Sequence, residues 1–347
     1  MKRYVFGRGA GLRPVPGAPV GLALEEVDAP KPRAGEVLVA IRANSLNFVD
    51  LNCFSGAFPV DGRIPLLDGA GEVLEVGAGV TRFAPGDRVV ANPHASWLAG
   101  VPRPESVGEV LGITTDGMLA EEVIQREDSL VRIPDALDFV TAASLPCAGL
   151  SAWSSLMGGP ARFAVAPGST VLTLGTGGVS LFAVQLARAM GCRVIATTSS
   201  ASKATRLESL GAAAVVNYQE TPEWGARVLE LTDGVGVDLV VEVGGPNTLP
   251  QSIRATKAGG RIAMVGIVGG LGSIDYVDML PINHKVLTLF ANGMGSRADL
   301  EDLLRFAAET GLEPVIDSTF GFDRAADAIA HFAGRGHVGK VVIAREA

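Results

Sequence analysis

Residues 170–191 read TVLTLGTGGVSLFAVQLARAMG, and this stretch indicates the fold of the 347-residue chain. Its first five residues, Thr170–Leu174, form the short apolar run that is typical of a buried strand. A glycine-rich turn follows, and residues 181–191 then place apolar side chains at helical spacing and end on a glycine. A strand, a glycine-rich turn and a helix in this order predict a β-α unit with an anion-binding turn at the helix N-terminus.

The turn has the form G-x-G-x-x-S, a variant of the dinucleotide-binding fingerprint. Gly175 allows the tight turn, Gly177 lets the backbone approach a pyrophosphate, and the small Ser180 lets the helix pack on its strand. Glycine also caps ordinary β-α turns, but the position between a strand and a helix favours dinucleotide binding. The residues predicted to contact the cofactor here are Gly175, Thr176, Gly177, Gly178 and Val179.

From about residue 141 onward, short apolar runs alternate with helical patterns, which is the signature of β-α-β units. The predicted strands are Thr170–Leu174, Arg193–Thr197, Ala214–Asn217, Val237–Glu242, Arg261–Val265 and Val286–Phe290. They predict an α/β chain with a doubly wound, six-stranded parallel sheet of the Rossmann type.

The first 140 residues have a different pattern, because short alternating runs are separated by Gly and Pro turns. This pattern predicts a β-rich, barrel-like domain. After Gly293 we predict a helix over Ser296–Glu309 and a strand over Lys340–Ile343.

The charge balance narrows the class of partner. The chain has 29 Lys+Arg against 37 Asp+Glu, a net charge of −8, and no basic run, which argues against binding to nucleic acid or a membrane surface. A small-molecule substrate is therefore expected.

No signal peptide or membrane span is predicted, since Gly, Pro or a charge interrupts every long apolar stretch. The three cysteines lie far apart without a C-x-x-C pair, which predicts neither disulfides nor a zinc lobe and favours a cytoplasmic location.

The end of the second predicted strand bears on cofactor choice. An Asp or Glu about 20 residues after the glycines would bind the ribose hydroxyls of NAD. Residues 198–203 read TSSASK and contain no acid. Hydroxyl groups and one cation, Ser199, Ser200 and Lys203, suit a 2′-phosphate and favour NADPH. The alternative is that the hydroxyls only cap the following helix and Lys203 is solvated.

Several short motifs are spread along nearly the whole chain. They are GAGEV at 69–73, VGAGV at 76–80, PGDRV at 85–89, LPCAGL at 145–150, GA at 211–212 before VNY at 216–218, and VEVGG at 241–245. In this order they resemble the medium-chain dehydrogenase/reductase superfamily. The likeness is closest to the zinc-independent, quinone-oxidoreductase-like and alcohol-dehydrogenase-like branch. It implies a GroES-like catalytic domain of residues 1–140 and 294–347, an NADP(H)-binding domain of residues 141–293, and an active site in the cleft between them.

The resemblance also implies further cofactor contacts. Lys203 and Tyr218 would flank the adenosine phosphate and adenine, and Gly244 and Lys340 are carried over as cofactor-binding residues. Gly266, Ile267 and Val268 follow the fifth strand, at the edge where the nicotinamide would lie, so their backbone is expected to bind its carboxamide.

The catalytic zinc of related proteins lacks its ligands in this sequence. By resemblance, the ligand positions are occupied by Asn47, Leu67 and Cys147, and Asp68 stands where zinc members have Glu. A catalytic zinc needs three N, S or carboxylate ligands, so no metal is expected. Cys147 is then interpreted as a small apolar residue rather than a catalytic thiol.

Without a metal, a substrate carbonyl must be polarised by hydrogen-bond donors. The candidates for catalysis are Asn47 and Asn52, whose amides can donate to a substrate oxygen, and Asp50, the nearest ionisable group. Asn52 stands where quinone reductases carry a Tyr. For Asp50 the alternative is a structural role in fixing its loop through backbone hydrogen bonds.

These features predict a zinc-independent, NADPH-dependent oxidoreductase that transfers hydride to an activated alkene, quinone or carbonyl. One alternative is an NAD(P)-dependent alcohol dehydrogenase acting on a small alcohol or aldehyde, and another is a cofactor-binding protein without turnover. The apolar run Val286–Phe290 at the end of the sheet further predicts a homodimer, since family members extend this edge across two chains.

Overall fold

The computed structural model describes residues 1–7, 11–159 and 163–345, and it divides into two compact units. Unit 1 consists of Met1–Leu150 and Gly295–Ala347, and unit 2 is the intervening Ser151–Met294. The first border thus lies ten residues after the predicted 140/141 and the second one residue after 293/294. Residues 141–150 belong to unit 1 because the helix Phe139–Ser144 packs on strands of that unit.

Strands and helices are numbered in chain order within the described residues. The strands are β1 (Lys2–Gly7), β2 (Gly21–Glu26), β3 (Glu36–Ser45), β4 (Asp68–Val76), β5 (Arg88–Ala91), β6 (Glu122–Arg126), β7 (Leu130–Arg132), β8 (Thr170–Leu174), β9 (Arg193–Thr198), β10 (Ala214–Asn217), β11 (Val237–Glu242), β12 (Thr256–Met264), β13 (Thr288–Ala291), β14 (Ile316–Gly321) and β15 (Lys340–Ala344). The helices are α1 (Phe48–Phe54), α2 (Pro104–Val107), α3 (Phe139–Ser144), α4 (Leu150–Leu156), α5 (Gly178–Ala189), α6 (Ala201–Ser209), α7 (Trp224–Leu231), α8 (Leu249–Ala255), α9 (Tyr276–His284), α10 (Arg297–Thr310) and α11 (Ala325–Ala333).

Unit 1 is the predicted β-rich domain. Its main sheet has the order β14-β15-β3-β4-β5-β7, with β6 also paired to β3, and β1 and β2 form a separate hairpin. The tail strand β15 runs antiparallel to β3, with Val342 opposite Ser45. The C-terminal segment therefore completes the sheet that the first residues begin, in agreement with the GroES-like domain expected from the sequence.

Unit 2 is a parallel sheet of the order β10-β9-β8-β11-β12-β13. Its core is aliphatic, and Leu172, Ile195, Val240 and Ile262 of successive strands are fully buried. The strand order reverses between β8 and β11, and ligands of doubly wound sheets bind at the carboxyl ends of the strands at this point. This topology confirms the predicted Rossmann-type α/β domain.

The predicted strands agree with the observed ones to within one residue at all ends except two starts. The fifth strand starts at Thr256 rather than Arg261 because Thr256 pairs with Val237 before an irregularity in the ladder. The sixth starts at Thr288 rather than Val286, since Val286 has a φ of +52°, which is incompatible with a strand.

Candidate functional site

In unit 2 the glycine-rich turn joins β8 to α5 as the sequence predicts. Gly175 has a φ of +75°, a conformation that favours glycine, and Gly177 is the N-cap of α5. A Cβ atom added to either glycine would meet no heavy atom within 4 Å, so the backbone here faces open space. Ser180 Oγ donates to the Leu174 carbonyl at 2.6 Å and ties the helix to its strand. An open backbone turn at a helix N-terminus fits the pyrophosphate of a dinucleotide.

The predicted 2′-phosphate site lies at the end of β9, beside that turn. Gly175 N–H donates to the Thr197 carbonyl at 3.0 Å, so β9 and the turn are adjacent. Ser200 is the N-cap of α6 and accepts from the Lys203 backbone N–H at 3.4 Å, which is the capping role weighed as the alternative. Ser199 and Lys203 are half-buried, and Tyr218 follows β10 with its backbone N–H bonded to the Thr198 carbonyl at 2.9 Å.

The loops after β11 and β12 are joined to each other. Val268 N–H donates to the Val243 carbonyl at 3.0 Å, and Ile267 and Val268 expose 44% and 39% of their surface. Gly266 lies two residues after the end of β12, at the edge predicted for the nicotinamide.

A buried carboxylate that sequence reasoning missed, Glu242, anchors the first of these loops. Its Oε1 accepts from the N–H groups of Gly244 and Gly245 at 2.7 and 3.0 Å and from the Thr248 hydroxyl at 2.5 Å, and its Oε2 accepts from the Ser252 hydroxyl. Glu242 is only 1% exposed. The one sequence signal was an acid at the carboxyl end of the mostly apolar strand β11.

In unit 1, β3, β4 and β15 bring Asn47, Asp68 and Lys340 together. Lys340 Nζ donates to Asn47 Oδ1 at 2.6 Å, and Asn47 Nδ2 donates to Asp68 Oδ2 at 2.8 Å. The Lys340 ammonium also lies 3.6 Å from Asp68 Oδ2, and both charged side chains are at most 2% exposed. Ser45 Oγ lies 2.7 Å from the same carboxylate oxygen. We call these four residues together with Asp50 the unit 1 cluster.

Asp50 lies in the first turn of α1 and is 2% exposed. Its Oδ2 accepts from the Asn47 backbone N–H at 2.7 Å, so it does fix the loop, as the structural alternative held. Burial, and next the Asp68 carboxylate, raise the pKa of Asp50 to about 7, although Lys340 acts in the opposite direction. Burial likewise raises the pKa of Asp68. Within the described part of the chain, Oδ1 of both carboxyl groups lacks a hydrogen-bond partner.

The structure places the remaining predicted residues as follows. Asn52 is half-buried in α1, one turn beyond the cluster, and its backbone carbonyl accepts from the Ser55 hydroxyl at 2.8 Å. Lys340, predicted as a cofactor contact, has its ammonium enclosed by oxygens of unit 1. The contact between Lys340 and Asn47 is visible only in the folded chain, because 293 residues separate them in the sequence.

The residues at the three positions expected for zinc ligands, Asn47, Leu67 and Cys147, do not fit a catalytic zinc ion. Leu67 is fully buried and aliphatic, and the Asn47 amide is already bonded to an ammonium and a carboxylate. Burial, and next Asp68, raise the pKa of the Cys147 thiol well above its ordinary value, which disfavours the thiolate that binds metals. Among residues 1–7, 11–159 and 163–345, no group of three or more His, Cys, Asp or Glu side chains could hold a metal ion.

Comparisons with known proteins agree with this architecture. Residues 33–135 match the family model of the alcohol dehydrogenase GroES-like domain, and residues 178–336 match that of the zinc-binding dehydrogenases. A zinc-type alcohol dehydrogenase-like protein of Schizosaccharomyces pombe is 38% identical over 92% of this chain and 94% of its own length. The chain belongs to the medium-chain dehydrogenase/reductase superfamily.

Other members of the superfamily differ in the reactions that they are named for. An acryloyl-coenzyme A reductase of Metallosphaera sedula is 30% identical over 95% of this chain and 98% of its own length. A crystal structure of an NAD-dependent alcohol dehydrogenase superposes with a TM-score of 0.85 at 33% identity and covers all of both chains. The superfamily thus establishes an oxidoreductase with a nicotinamide cofactor. As far as the structure describes the chain, none of its helices has the length and apolar character needed to cross a bilayer.

Proposed function

We propose that this oxidoreductase uses NADPH, works without zinc and reduces an activated alkene, quinone or carbonyl. The observation that carries the proposal is the unit 1 cluster, in which an ammonium, an amide and two carboxyl groups lie together. By the resemblance, Asn47 in this cluster stands where zinc members have a metal ligand. Such a cluster can donate hydrogen bonds to a substrate oxygen and hold a proton, which are the two tasks that reduction requires.

The residues proposed to hold the cofactor all lie in unit 2. Residues 175–179 and the N-terminus of α5 would bind the pyrophosphate. Ser199, Ser200 and Lys203 would bind the 2′-phosphate, with Tyr218 against the adenine. Gly244 and the backbone of residues 266–268 would bind the nicotinamide end. When bound, the cofactor supplies the hydride.

Three residues of unit 1 are proposed for catalysis. Asn47 would donate a hydrogen bond from its amide to the substrate oxygen, and Asn52 is a second amide on the same helix. Asp50 would hold the proton that the reduced oxygen or carbon requires, because a pKa of about 7 lets it carry a proton near neutral pH. Its bond to the Asn47 backbone keeps that carboxyl group at a defined place.

The names of the relatives support two reactions, on a C=C or a C=O bond. An alcohol dehydrogenase that interconverts a small alcohol and its aldehyde or ketone is the second candidate, favoured by the S. pombe relative. An α,β-unsaturated ketone separates the two, since the product loses either its C=C or its C=O bond. A protein that only binds the cofactor would bind NADPH tightly and convert none of these substrates.

Cofactor choice is tested by Lys203→Ala. If Lys203 binds the 2′-phosphate, the variant loses about 10- to 150-fold in NADPH affinity, the value of one charge-assisted hydrogen bond, and keeps its NADH affinity. Arg227→Ala is the control, because Arg227 is an exposed cation paired with Glu230 on α7. Fluorescence titration measures both cofactors. Equal losses for NADH and NADPH would contradict a 2′-phosphate site.

Zinc independence is tested by elemental analysis of the purified protein and by assay in chelator. We expect less than one zinc per chain and unchanged turnover. One zinc per chain together with loss of turnover in chelator would overturn the proposal.

We further propose that the chain forms a homodimer through the β13 edge of unit 2 and acts in the cytoplasm. Edge strands are natural pairing surfaces. The three free cysteines, Cys53, Cys147 and Cys192, are consistent with a reducing compartment.

A further inference from the structure

The Lys340 ammonium is enclosed by oxygen atoms of unit 1. It donates to the Leu46 carbonyl at 2.8 Å and to Asn47 Oδ1 at 2.6 Å, and it forms an ion pair with Asp68 Oδ2 at 3.6 Å. An ammonium has three donors and no acceptor. The buried ammonium therefore makes two hydrogen bonds and one ion pair, all three with oxygen atoms of unit 1.

These contacts allow only one orientation of the Asn47 amide. An ammonium cannot accept a hydrogen bond, so the atom facing Lys340 must be the amide oxygen. With its oxygen on Lys340, the amide has its nitrogen on the Asp68 side, where Asp68 Oδ2 accepts one N–H at 2.8 Å. With the amide reversed, its nitrogen would face the Lys340 ammonium and its oxygen would face the Asp68 carboxylate, and both hydrogen bonds would be lost.

One N–H of the oriented amide remains. Asn47 Nδ2 carries two hydrogens and uses one on Asp68, and the described residues provide no acceptor for the other. Asn47 is 6% exposed, so bulk water reaches it little. A donor that is oriented and largely shielded from water is what stabilises a developing charge on a substrate oxygen.

We propose that Lys340 is a positioning residue, whose ammonium and the Asp68 carboxylate hold the Asn47 amide with one N–H presented to a substrate oxygen. The inference rests on the proposed function, in which Asn47 is the donor. It differs from a cofactor contact by Lys340, because a positioning role predicts a change in kcat and no change in NADPH affinity.

The test is a double-mutant cycle with Lys340→Met, Asn47→Ala and the double variant. We expect each single variant to lower kcat about 100-fold, the usual effect of losing one such donor. The double variant should fall no more than about 3-fold below Asn47→Ala, because Lys340 acts through Asn47. The NADPH dissociation constant, measured by fluorescence, should change less than about 2-fold.

Lys285→Met is the matched control. The Lys285 ammonium also donates to three oxygens, the carbonyls of Ile253, Arg254 and Thr256, but it lies in unit 2 and contacts no candidate catalytic group. We expect this variant to lower the melting temperature without changing kcat. If Lys340→Met does not fold, Lys340→Gln takes its place in the cycle, since it keeps an N–H donor and should give a smaller, equally non-additive loss.

A second readout does not depend on turnover. N,N-Dimethylbutyramide is inert and can only accept hydrogen bonds, so its affinity for the NADPH-loaded protein, measured by calorimetry, should fall in the same non-additive way. Additive losses in both readouts, or a raised NADPH dissociation constant with unchanged kcat, would overturn the positioning role and leave the proposed function standing. Non-additive loss of amide binding in a protein that reduces no alkene, quinone or carbonyl would instead contradict the proposed function alone.

Discussion

Asp50 carries an electrostatic cost that depends on pH. Burial and the neighbouring Asp68 raise its pKa from the ordinary 3.8 to about 7. Between these two values, the folded chain holds a proton that the unfolded chain has already released. The contribution of Asp50 to the free energy of unfolding therefore decreases as the pH rises from about 4 to 7 and is constant above that range.

Substitution Asp50→Asn should remove this dependence. One pKa unit corresponds to about 1.4 kcal/mol, so the raised pKa costs about 4 kcal/mol at pH 8. The asparagine carbonyl can still accept from the Asn47 N–H, and we expect the variant to be more stable than the wild type at pH 8 and similar to it at pH 4. Urea unfolding across this range measures the difference.

Asp87→Asn is the control, with the opposite sign. A hydrogen bond from Arg132 lowers the pKa of Asp87, so its contribution is present at neutral pH and is lost on acidification. A pH profile of Asp50→Asn that runs parallel to the wild type would show that Asp50 is ionised throughout. It would also remove Asp50 as the proposed proton carrier.

At this scale the sequence identified residue types better than residue partners. Asn47 and Asp50 are close in the chain, and their spacing at the start of a helix could be interpreted directly. The Asn47–Lys340 bond could not, because it depends on β15 pairing with β3 across almost the whole chain. The role of Glu242 was missed for a related reason, because it depends on contacts that form only in the folded chain. Its four hydrogen-bond donors come from the turn after β11 and from the start of α8.

The N-terminus of α5 is the element proposed to bind the pyrophosphate of the cofactor. Gly177 has ordinary backbone angles, φ −77° and ψ 174°, and a Cβ there would meet no atom of the folded chain. The fold therefore does not require glycine at this position, and the proposed approach of the pyrophosphate would explain it. Gly175 differs, because its positive φ requires glycine in any case.

Substitution Gly177→Ala should therefore separate binding from stability. We expect a loss of at most about 1 kcal/mol in the free energy of unfolding, the usual cost of Ala at an N-cap, and at least a 10-fold loss in NADPH affinity from the methyl group facing the pyrophosphate. Thermal unfolding and fluorescence titration measure the two effects.

Gly321→Ala is the matched control in unit 1. Gly321, the last residue of β14, is the N-cap of the short 3-10 helix Phe322–Arg324, with φ −70° and ψ 158°, and it is equally open. The control should show a similar small loss of stability and unchanged cofactor affinity. Unchanged NADPH affinity in Gly177→Ala would mean that the turn does not bind the pyrophosphate.

Elements were predicted best where hydrophobic pattern alone decides them. β8, β10 and β11 have the predicted ends, since each is a mostly apolar run between turns. The ends that differ depend on backbone features that composition does not show, such as the left-handed conformation of Val286, a β-branched residue.

For the whole molecule, the surface at one end of the unit 2 sheet remains to be explained. In the described residues β13 is an edge strand, and α9, which precedes it, has no buried residue. Tyr276, Val277 and Val286 are exposed to 72–76% in this region. The net charge of −8 does not shield this apolar edge from water. Pairing with a second copy of the chain would cover it.

Val286→Asp should weaken the proposed dimer without harming the fold. Val286 has a φ of +52°, which Asp adopts more readily than a β-branched residue, so the stability of unit 2 should be kept or increased. A charge at the edge opposes pairing of two sheets. We expect light scattering to show a dimer for the wild type and a monomer for the variant at micromolar concentration.

The matched control is Val235→Asp. Val235 is 64% exposed in the turn before β11, and β12 lies between β11 and the edge strand β13. It adds the same charge to the same unit, so a general effect of charge would dissociate both variants alike. Dissociation of Val286→Asp alone would locate the interface at β13. A monomeric wild type, or a Val286→Asp variant that stays dimeric at the same concentration, would mean that the exposed apolar edge serves another purpose.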